Sequence, residues 1–323
     1  MIKNNLVFFY PEGHEAHHQH GHPERPERVT AMVNALTETG WWDDSPKIAS
    51  LPVPHDVLHA IHTPEYVDIL EQTCAFGHQI DMDTYTTKAS WDLALNAAGG
   101  AIAVSRAVWD RTARRGFALT RPPGHHAASN QGMGFCLLNN IALAAEDLIQ
   151  EYGARRIAII DLDQHHGNGT QDIFWKREDV FYFSTHQYPH YPGTGRFKDV
   201  GAGAGRNKTA NFPLPAGSGD RAFQTIMDLA IIPLLDRYMP EMILVSYGFD
   251  THWRDPLGNL TLSAGGYHNL IAALTAWSDQ YCQGRIALFL EGGYDLIAAE
   301  ACTQGVVAAL LGVSWDDALG KSK

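Results

Sequence analysis

The sequence predicts a single doubly wound α/β domain built on a parallel sheet, and two observations support this fold class. Short apolar runs alternate with longer helical patterns along the whole chain, as in sheets whose strands are joined by helical crossovers. No low-complexity stretch divides the 323 residues, as a linker between two domains would. We therefore predict one domain over residues 1–323, with helices flanking the sheet.

Five apolar runs have the length and composition of buried parallel strands, at 117–120, 156–161, 180–184, 242–246 and 286–290. Four longer patterns are predicted to be crossover helices, at 90–109, 139–152, 220–238 and 263–281. Ser263 and Asp220 are candidate N-caps, and Gly153 and Gly284 suit the left-handed position after a helix. Residues 186–219 have no clear period and are predicted to form an ordered functional loop.

The net charge of the chain indicates which partners it can bind, and its cysteines indicate the cellular compartment. With 24 Lys+Arg and 36 Asp+Glu the formal net charge is −12, so direct nucleic-acid binding is not expected and a cationic substrate is favoured. No apolar run is long enough to cross a bilayer, and the four cysteines form no C-x-x-C pair. We predict a cytoplasmic protein that binds no membrane. No feature of the sequence indicates an oligomeric state.

Polar side chains follow four of the predicted strands, in the segments 121–126, 161–169, 247–250 and 291–294. Ligands of open α/β sheets bind beyond the carboxyl ends of the strands. We therefore expect these segments to bring His, Asp and Tyr side chains to one crevice.

The alternation of Asp161, Asp163 and His165 along an extended backbone places their side chains on one side. Together with Asp250, the pair Asp163 and His165 would give a divalent ion three protein ligands and leave a position open for water and a substrate carbonyl. Taken alone, the pair is equally well explained as turn residues that satisfy backbone groups. The other polar strand ends favour the metal site.

The remaining polar residues suit amide hydrolysis, in which metal-activated water attacks a carbonyl, a histidine accepts the proton and a donor stabilises the oxyanion. His125 and His126 are the candidate bases, and Tyr294 is the candidate donor. Their alternative roles are core histidines and a packing aromatic residue. Gly292 and Gly293 are expected to be flexible and to permit closure of the loop onto the substrate.

Four motifs resemble those of the histone deacetylase superfamily, in particular its class II branch and the bacterial histone deacetylase-like amidohydrolases. They are Arg-Pro-Pro-Gly-His-His at 121–126, Asp-Leu-Asp-Gln-His-His-Gly-Asn-Gly-Thr at 161–170, Tyr-Pro-Gly-Thr-Gly at 191–195 and Gly-Phe-Asp-Thr at 248–251. The likeness runs from residue 22 to residue 294. It implies an arginase-deacetylase fold with a parallel sheet of about eight strands. It also implies one catalytic Zn²⁺, with Fe²⁺ as the alternative ion, on Asp163, His165 and Asp250.

The resemblance assigns roles to the catalytic candidates. It implies that His126 is the general base and acid, that His125 stabilises charge and that Tyr294 binds the oxyanion. It further implies that Asp161 hydrogen-bonds His125 and that Asn168 faces His126. Because a carboxylate favours imidazolium and an amide does not, we expect His125 to have the higher pKa and His126 to stay neutral.

The resemblance also implies the residues around the substrate. Phe135 and Tyr191 would wall a narrow acyl-lysine-type tunnel, the Gly134 carbonyl would meet the substrate amide, and Asp83, or Asp81, would be the rim carboxylate. Arg28 would line the acetate exit or bind carbonyls beneath the site.

A structural K⁺ is expected as well, bound by backbone carbonyls near Asp161, Asp163 and His165 together with Ser184. One N-terminal group of histidines, His14, His17, His18, His20 and His22, is expected to form the tunnel rim, with a second metal site as the alternative.

The predicted function is a zinc-dependent deacylase that hydrolyses acetyl or similar acyl amides of lysine-like or polyamine amines. The alternative is a non-catalytic acyl-amine or metal-binding protein on the same fold. A ureohydrolase ranks third, because it would need two manganese ions and further Asp ligands.

Overall fold

All eight strands of the central sheet run parallel, in the order β2-β1-β3-β8-β7-β4-β5-β6. The structure is a computed structural model that describes residues 5–320. The strands are β1 (Leu6–Phe9), β2 (Lys47–Ile48), β3 (Arg115–Ala118), β4 (Ile157–Asp161), β5 (Val180–Gln187), β6 (Thr209–Leu214), β7 (Met242–Tyr247) and β8 (Ile286–Leu290). The parallel sheet confirms the predicted fold class.

Helices cover both faces of this sheet. They are α1 (Glu27–Glu38), α2 (Trp41–Asp44), α3 (His55–Ile61), α4 (Pro64–Phe76), α5 (Ser90–Trp109), α6 (Asn140–Tyr152), α7 (Asn168–Phe174), α8 (Asp220–Ile226), α9 (Ile232–Tyr238), α10 (Ala264–Tyr281) and α11 (Leu296–Leu311). Single 3₁₀ turns lie at His14–Ala16 and Gly203–Gly205. No helix within residues 5–320 has the length and apolar character needed to span a bilayer.

Alternate residues of each strand enter two separate hydrophobic cores. In β4, Ile157 and Ile159 pack with α3, α5 and α6, whereas Ala158 and Ile160 pack with α1, α10 and α11. Successive side chains of a strand point to opposite faces, so a strand buried on both faces must be apolar throughout. This explains why five strands were predicted from continuous apolar runs, although the run at 117–120 begins and ends two residues beyond the bounds of β3 (Arg115–Ala118).

Three strands were not predicted. β1 and β2 are only four and two residues long. β6 lies inside the segment 186–219, for which a loop was predicted, and β5 extends into the same segment as far as Gln187, so that prediction was wrong for both stretches. β6 is at the edge of the sheet and contains Pro213, which an edge strand tolerates but which weakens the sequence signal.

The predicted helix 220–238 is interrupted by a π-helical segment, Met227–Ile231, between α8 and α9. Ser263 caps α10 as predicted, because its side chain accepts a hydrogen bond from the Gly266 amide at 2.9 Å. Asp220 is not a cap. It is the first residue of α8, and its carboxylate accepts hydrogen bonds from the Ser263 amide and hydroxyl, each at 2.7 Å.

The two glycines predicted to follow helices both have positive φ. Gly153, at φ +67°, directly ends α6. Gly284, at φ +79°, lies beyond Cys282, the residue that ends α10. The left-handed conformation was therefore predicted at both positions, whereas the end of α10 comes two residues earlier.

The contact between α5 and β1 generates a test of this packing. A Cβ atom on Gly100 would lie 2.4 Å from the buried Phe9 ring. We expect Gly100→Ala to lower the free energy of unfolding by about 1–3 kcal/mol, because the added methyl group would displace the Phe9 ring from its present position. Gly265→Ala in α10 is the matched control, since its nearest neighbour would be 3.4 Å away. Denaturant unfolding measures both, and equal stability of the two variants would contradict this packing.

Candidate active site

The four polar segments predicted from the sequence follow four adjacent strands. β3, β8, β7 and β4 are neighbours in the sheet, and each is followed by one of these segments. Because the strands are parallel, their carboxyl ends open at the same edge. The segments therefore meet, as expected, in one crevice.

Asp163, His165 and Asp250 form a compact buried cluster. One ligand atom from each lies within 4.8 Å of the others. His165 Nδ1 is 3.1 Å from Asp163 Oδ1 and 3.0 Å from Asp250 Oδ2. The remaining carboxylate oxygens are held by backbone amides, because Gly292 N donates to Asp163 Oδ2 and Gln164 N donates to Asp250 Oδ1. His165 Nδ1, Asp163 Oδ1 and Asp250 Oδ2 face one another, and Asp163 Oδ1 also accepts a hydrogen bond from the His165 amide at 2.8 Å.

This donor set fits a divalent cation. Within residues 5–320, neither Asp163 nor Asp250 has a Lys or Arg partner, and the only ionisable basic side chains within 4 Å of their carboxylates are histidines. Buried carboxylates need positive charge close by, and two carboxylates with one imidazole are ligands that zinc accepts.

The pKa values of Asp250 and His165 are both raised, as expected where two buried carboxylates lie close together. Burial and the neighbouring Asp163 raise the pKa of Asp250 to about 6. Burial would lower the pKa of His165, but its hydrogen bonds to Asp163 and Asp250 outweigh this and raise it to about 10. The negative charge of the two carboxylates therefore favours binding of a cation between them.

Close packing, and not flexibility, explains the two glycines before Tyr294. A Cβ atom on Gly292 would lie 2.4 Å from Asp250 Oδ2 and 2.6 Å from Asp163 Oδ2. Gly293 has φ +112°, and its Cβ would lie 2.3 Å from the Phe249 ring. The expectation of a flexible loop was therefore wrong, because the backbone must approach the carboxylates closely here.

The two tandem histidines have unequal partners, as expected. His125 Nδ1 donates to Asp161 Oδ2 at 3.0 Å, and the Tyr182 hydroxyl donates to the same oxygen at 2.9 Å. His126 Nδ1 donates to the amide oxygen of Asn168 at 2.8 Å. The imidazole rings are 4.0 Å apart between centroids, and both are buried.

Their pKa values differ in the direction that the sequence predicts. Burial would lower the pKa of His125, but the carboxylates of Asp161 and Asp163 overcome this effect and raise it to about 10. Burial and the neighbouring His125 hold the pKa of His126 well below its usual value. The carboxylates therefore favour the charged form of His125, whereas burial and this neighbour favour the neutral form of His126.

The cluster opens into a cavity of about 260 Å³, which most of the predicted substrate residues line. Its walls are formed by Asp83, His126, Gly134, Phe135, His165, His190, Tyr191, Leu257 and Tyr294. The rings of Phe135 and Tyr294 meet edge to face at 5.8 Å, and those of His126 and Tyr191 at 5.3 Å.

The structure adds three details of the cavity. Asp83 lines it, whereas the Asp81 carboxylate accepts hydrogen bonds from the amides of Asp83 and Thr84. His190 and Leu257 were not predicted. His190 directly precedes the motif at 191–195, so its position near the cavity could have been predicted from the sequence. No motif or pattern in the sequence distinguishes Leu257 from other leucines.

Arg28 is fully buried beneath the site and binds carbonyls, one of its two expected roles. It donates to the carbonyl oxygens of Glu291 and Gly293, each at 2.5 Å, and pairs with Glu24 at 2.9 Å. The same Glu24 carboxylate pairs with the buried Arg121. The pKa of Glu24 is about 2, because Arg121 and Arg28 outweigh the effect of burial.

The N-terminal histidines do not form the rim as a group, so that expectation was wrong. His14 and His17 are buried, and their carbonyl oxygens accept hydrogen bonds from Arg121. His22 contacts the cavity wall, with its ring 4.6 Å from Phe135, whereas His18 and His20 are exposed. Two groups with metal-ligand spacing occur in the described part of the chain, and neither includes these histidines.

Comparisons with known proteins show what the chain is similar to. The histone deacetylase domain family matches residues 22–310. A probable deacetylase of Archaeoglobus fulgidus is 41% identical over 295 residues, which are 90% of this chain and 82% of that protein. A histone deacetylase-like amidohydrolase of Pseudomonas aeruginosa is 33% identical over 295 residues, 91% of this chain and 78% of that protein. The crystal structure of the HDA15 HD domain matches with TM-score 0.91 and 33% identity, covering 96% of this chain and 90% of that one.

The close approach at Gly292 yields a test of the metal cluster. We expect Gly292→Ala to weaken Zn²⁺ binding by about 10-fold or more, because its methyl group would displace both carboxylates from the ligand position. Competition with a chromophoric chelator measures this affinity. Gly265→Ala, far from the cluster, should bind Zn²⁺ like the wild type. An unchanged affinity in Gly292→Ala would show that the ion binds elsewhere.

Proposed function

Because the chain belongs to the histone deacetylase family, has its arginase-deacetylase fold and is a deacetylase or amidohydrolase of that family, we propose that it is a zinc-dependent deacylase. Its proposed substrates are acetyl or similar acyl amides of lysine-like or polyamine amines. One observation carries the proposal. The cluster of Asp163, His165 and Asp250 lies beside the His125–His126 pair and opens into the same cavity as Tyr294.

Asp163, His165 and Asp250 would hold the zinc ion, with Fe²⁺ as the alternative. When bound, such an ion polarises the amide carbonyl and makes water acidic enough to act as a nucleophile at neutral pH. The protein itself must then accept a proton from the water, stabilise the negative charge on the carbonyl oxygen and protonate the leaving amine.

His126 is suited to move this proton. Its Nδ1 carries a hydrogen that is donated to Asn168, so the lone pair is on Nε2. The ring lines the cavity, and its low pKa keeps the lone pair free at neutral pH. We propose that Nε2 takes the proton from water and later gives it to the leaving nitrogen. His125, held as imidazolium by Asp161, stabilises the negative charge that develops beside it.

Tyr294 is the proposed oxyanion donor. Burial raises the pKa of its hydroxyl well above 10, so the proton remains available for donation. The ring is 8% exposed and lines the cavity. A donor aimed at the developing oxyanion is typically worth about 10²–10³ in rate.

The cavity supports a substrate with a slender chain and a positive charge. The walls are the aromatic rings of Phe135 and Tyr191 and the backbone at Gly134, and the carboxylate of Asp83 also lines the cavity. The net charge of −12 attracts cations and opposes direct nucleic-acid binding. We therefore propose a cationic acylated amine as the substrate class.

Two further proposals concern the surroundings of the enzyme. All four cysteines are free and buried, which suits a reducing compartment, and we propose the cytoplasm. We also propose a structural K⁺ near the backbone of Asp161, Asp163 and His165 with Ser184. Asp161 and Ser184 are register partners in β4 and β5, so these groups lie at one strand end.

A non-catalytic binding protein on this fold is the second candidate, and one experiment separates the two. Fluorogenic acetyl-lysine and acetylated polyamines are assayed before chelation, after it and after return of Zn²⁺. We expect chelation to abolish turnover and zinc to restore it. Tyr294→Phe should lower kcat about 10²–10³-fold with little change in KM. Tyr281→Phe, at a tyrosine 43% exposed, is the control. Stoichiometric zinc without turnover of any amide would favour the binding protein.

The unequal histidine partners generate a pH prediction. Asn168→Asp would give Nδ1 of His126 a carboxylate in place of an amide, which raises the pKa of its imidazole. His126 must be neutral to accept a proton, so activity is lost as pH falls through this pKa. The acid limb of kcat/KM should therefore move up by about 1–3 pH units. An acid limb that stays in place would exclude His126 as the base.

A further inference from the structure

The peptide unit that joins Gly293 to Tyr294 is held on both sides by buried charged groups. On one side, Arg28 Nε donates to the Gly293 carbonyl oxygen at 2.5 Å. On the other, the Tyr294 amide donates to Asp255 Oδ2 at 2.7 Å. The carbonyl and the amide belong to the same planar unit, so the two contacts together fix its rotation. That rotation sets the direction in which the tyrosine side chain leaves the backbone.

Asp255 also holds the cavity wall formed by Leu257. Its second oxygen, Oδ1, accepts a hydrogen bond from the Leu257 amide at 2.9 Å. Leu257 and Tyr294 both line the 260 Å³ cavity, although they are far apart in the sequence. One carboxylate therefore fixes two parts of the cavity wall relative to each other.

In the described part of the chain, no basic side chain neutralises the Asp255 carboxylate. Asp255 is 6% exposed, and it has no Lys, Arg or His partner within 4 Å in the described part of the chain. Its two carboxylate oxygens accept hydrogen bonds from backbone amides, those of Leu257 and Tyr294. A buried carboxylate without a cation is costly, and such groups are found where they orient functional elements.

The two chain segments do not need Asp255 to stay together. The Phe249 amide donates to the Gly292 carbonyl at 3.1 Å, and Arg254 pairs with Asp295 at 3.1 Å. Asp295 in turn caps α11. These contacts join the segments on both sides of Tyr294, so the contribution specific to Asp255 is the orientation of the tyrosine peptide.

We propose that Asp255 is a positioning residue for the reaction, which with Arg28 clamps the Gly293–Tyr294 peptide and aims the tyrosine hydroxyl into the cavity. Its kinetic consequence rests on the proposed deacylase function. A displacement of a catalytic group by about 1 Å can cost about 10²-fold in rate. Because Tyr294 acts in the transition state, the loss should fall on kcat more than on KM.

Asp255→Asn is the sharpest change, since it keeps the size and shape of the side chain. Both oxygens of Asp255 accept amide hydrogens, so one N–H must face the new NH₂ group in the variant. Asp220→Asn is the matched control, because that carboxylate also accepts a backbone amide, that of Ser263, but lies between α8 and α10.

A double-mutant cycle with Tyr294→Phe tests the mechanism. We expect Asp255→Asn to lower kcat at least about 10-fold in the wild-type background and less than about 2-fold in Tyr294→Phe, because the hydroxyl to be aimed is already absent. Asp220→Asn should leave kcat unchanged. Equal losses in both backgrounds, or no loss in either, would overturn the proposal.

A crystal structure of Asp255→Asn gives a readout that does not depend on turnover. We expect the Gly293–Tyr294 peptide to rotate and the tyrosine ring to shift while Asp163 and Asp250 stay in place. An unmoved tyrosine would refute the clamp even if the enzyme proves to have another substrate, and absence of turnover in the wild type would refute only the proposed function. If Asp255→Asn does not fold, Asp255→Ser leaves space for a water to accept the amides, and the same cycle applies.

Discussion

The site depends on two buried carboxylates, Asp163 and Asp250, that lie side by side and have no Lys or Arg partner in the described part of the chain. Such a pair is unfavourable in a protein interior unless positive charge is supplied. The surrounding structure satisfies the outer oxygens with the amides of Gly292 and Gln164 and leaves the inner ones to face His165. This arrangement requires a backbone without a side chain at position 292, which explains the glycine there.

Buried charges also influence the residues around the cluster of Asp163, His165 and Asp250. His125 acquires its charge from Asp161 and Asp163, and that charge in turn helps to keep His126 neutral. Deeper in the fold, Arg28 pairs with Glu24 and binds the backbone carbonyls of the loop that carries Tyr294. Buried neighbours therefore bias the protonation of the two tandem histidines and hold the loop before Tyr294, which is an arrangement that suits acid–base catalysis at neutral pH.

The sequence predicted what depends on local pattern. The central strands are buried on both faces, so they appear as unbroken apolar runs, and the metal-ligand candidates alternate after such a strand. β1 and β2 are too short to show a pattern, and β6 is interrupted by Pro213. The role of Asp255 depends on an amide 39 residues away, which only the folded chain brings near. The close packing at Gly292 was missed for the same reason, since a glycine in a sequence does not reveal which atoms approach it.

We propose that Asp163, His165 and Asp250 form the one catalytic metal centre. Anomalous diffraction at the zinc edge tests it most directly, with crystals grown in one molar equivalent of Zn²⁺. We expect a single peak about 2.0–2.2 Å from His165 Nδ1 and from one oxygen of each carboxylate. A peak at other residues, with none between these three, would contradict it.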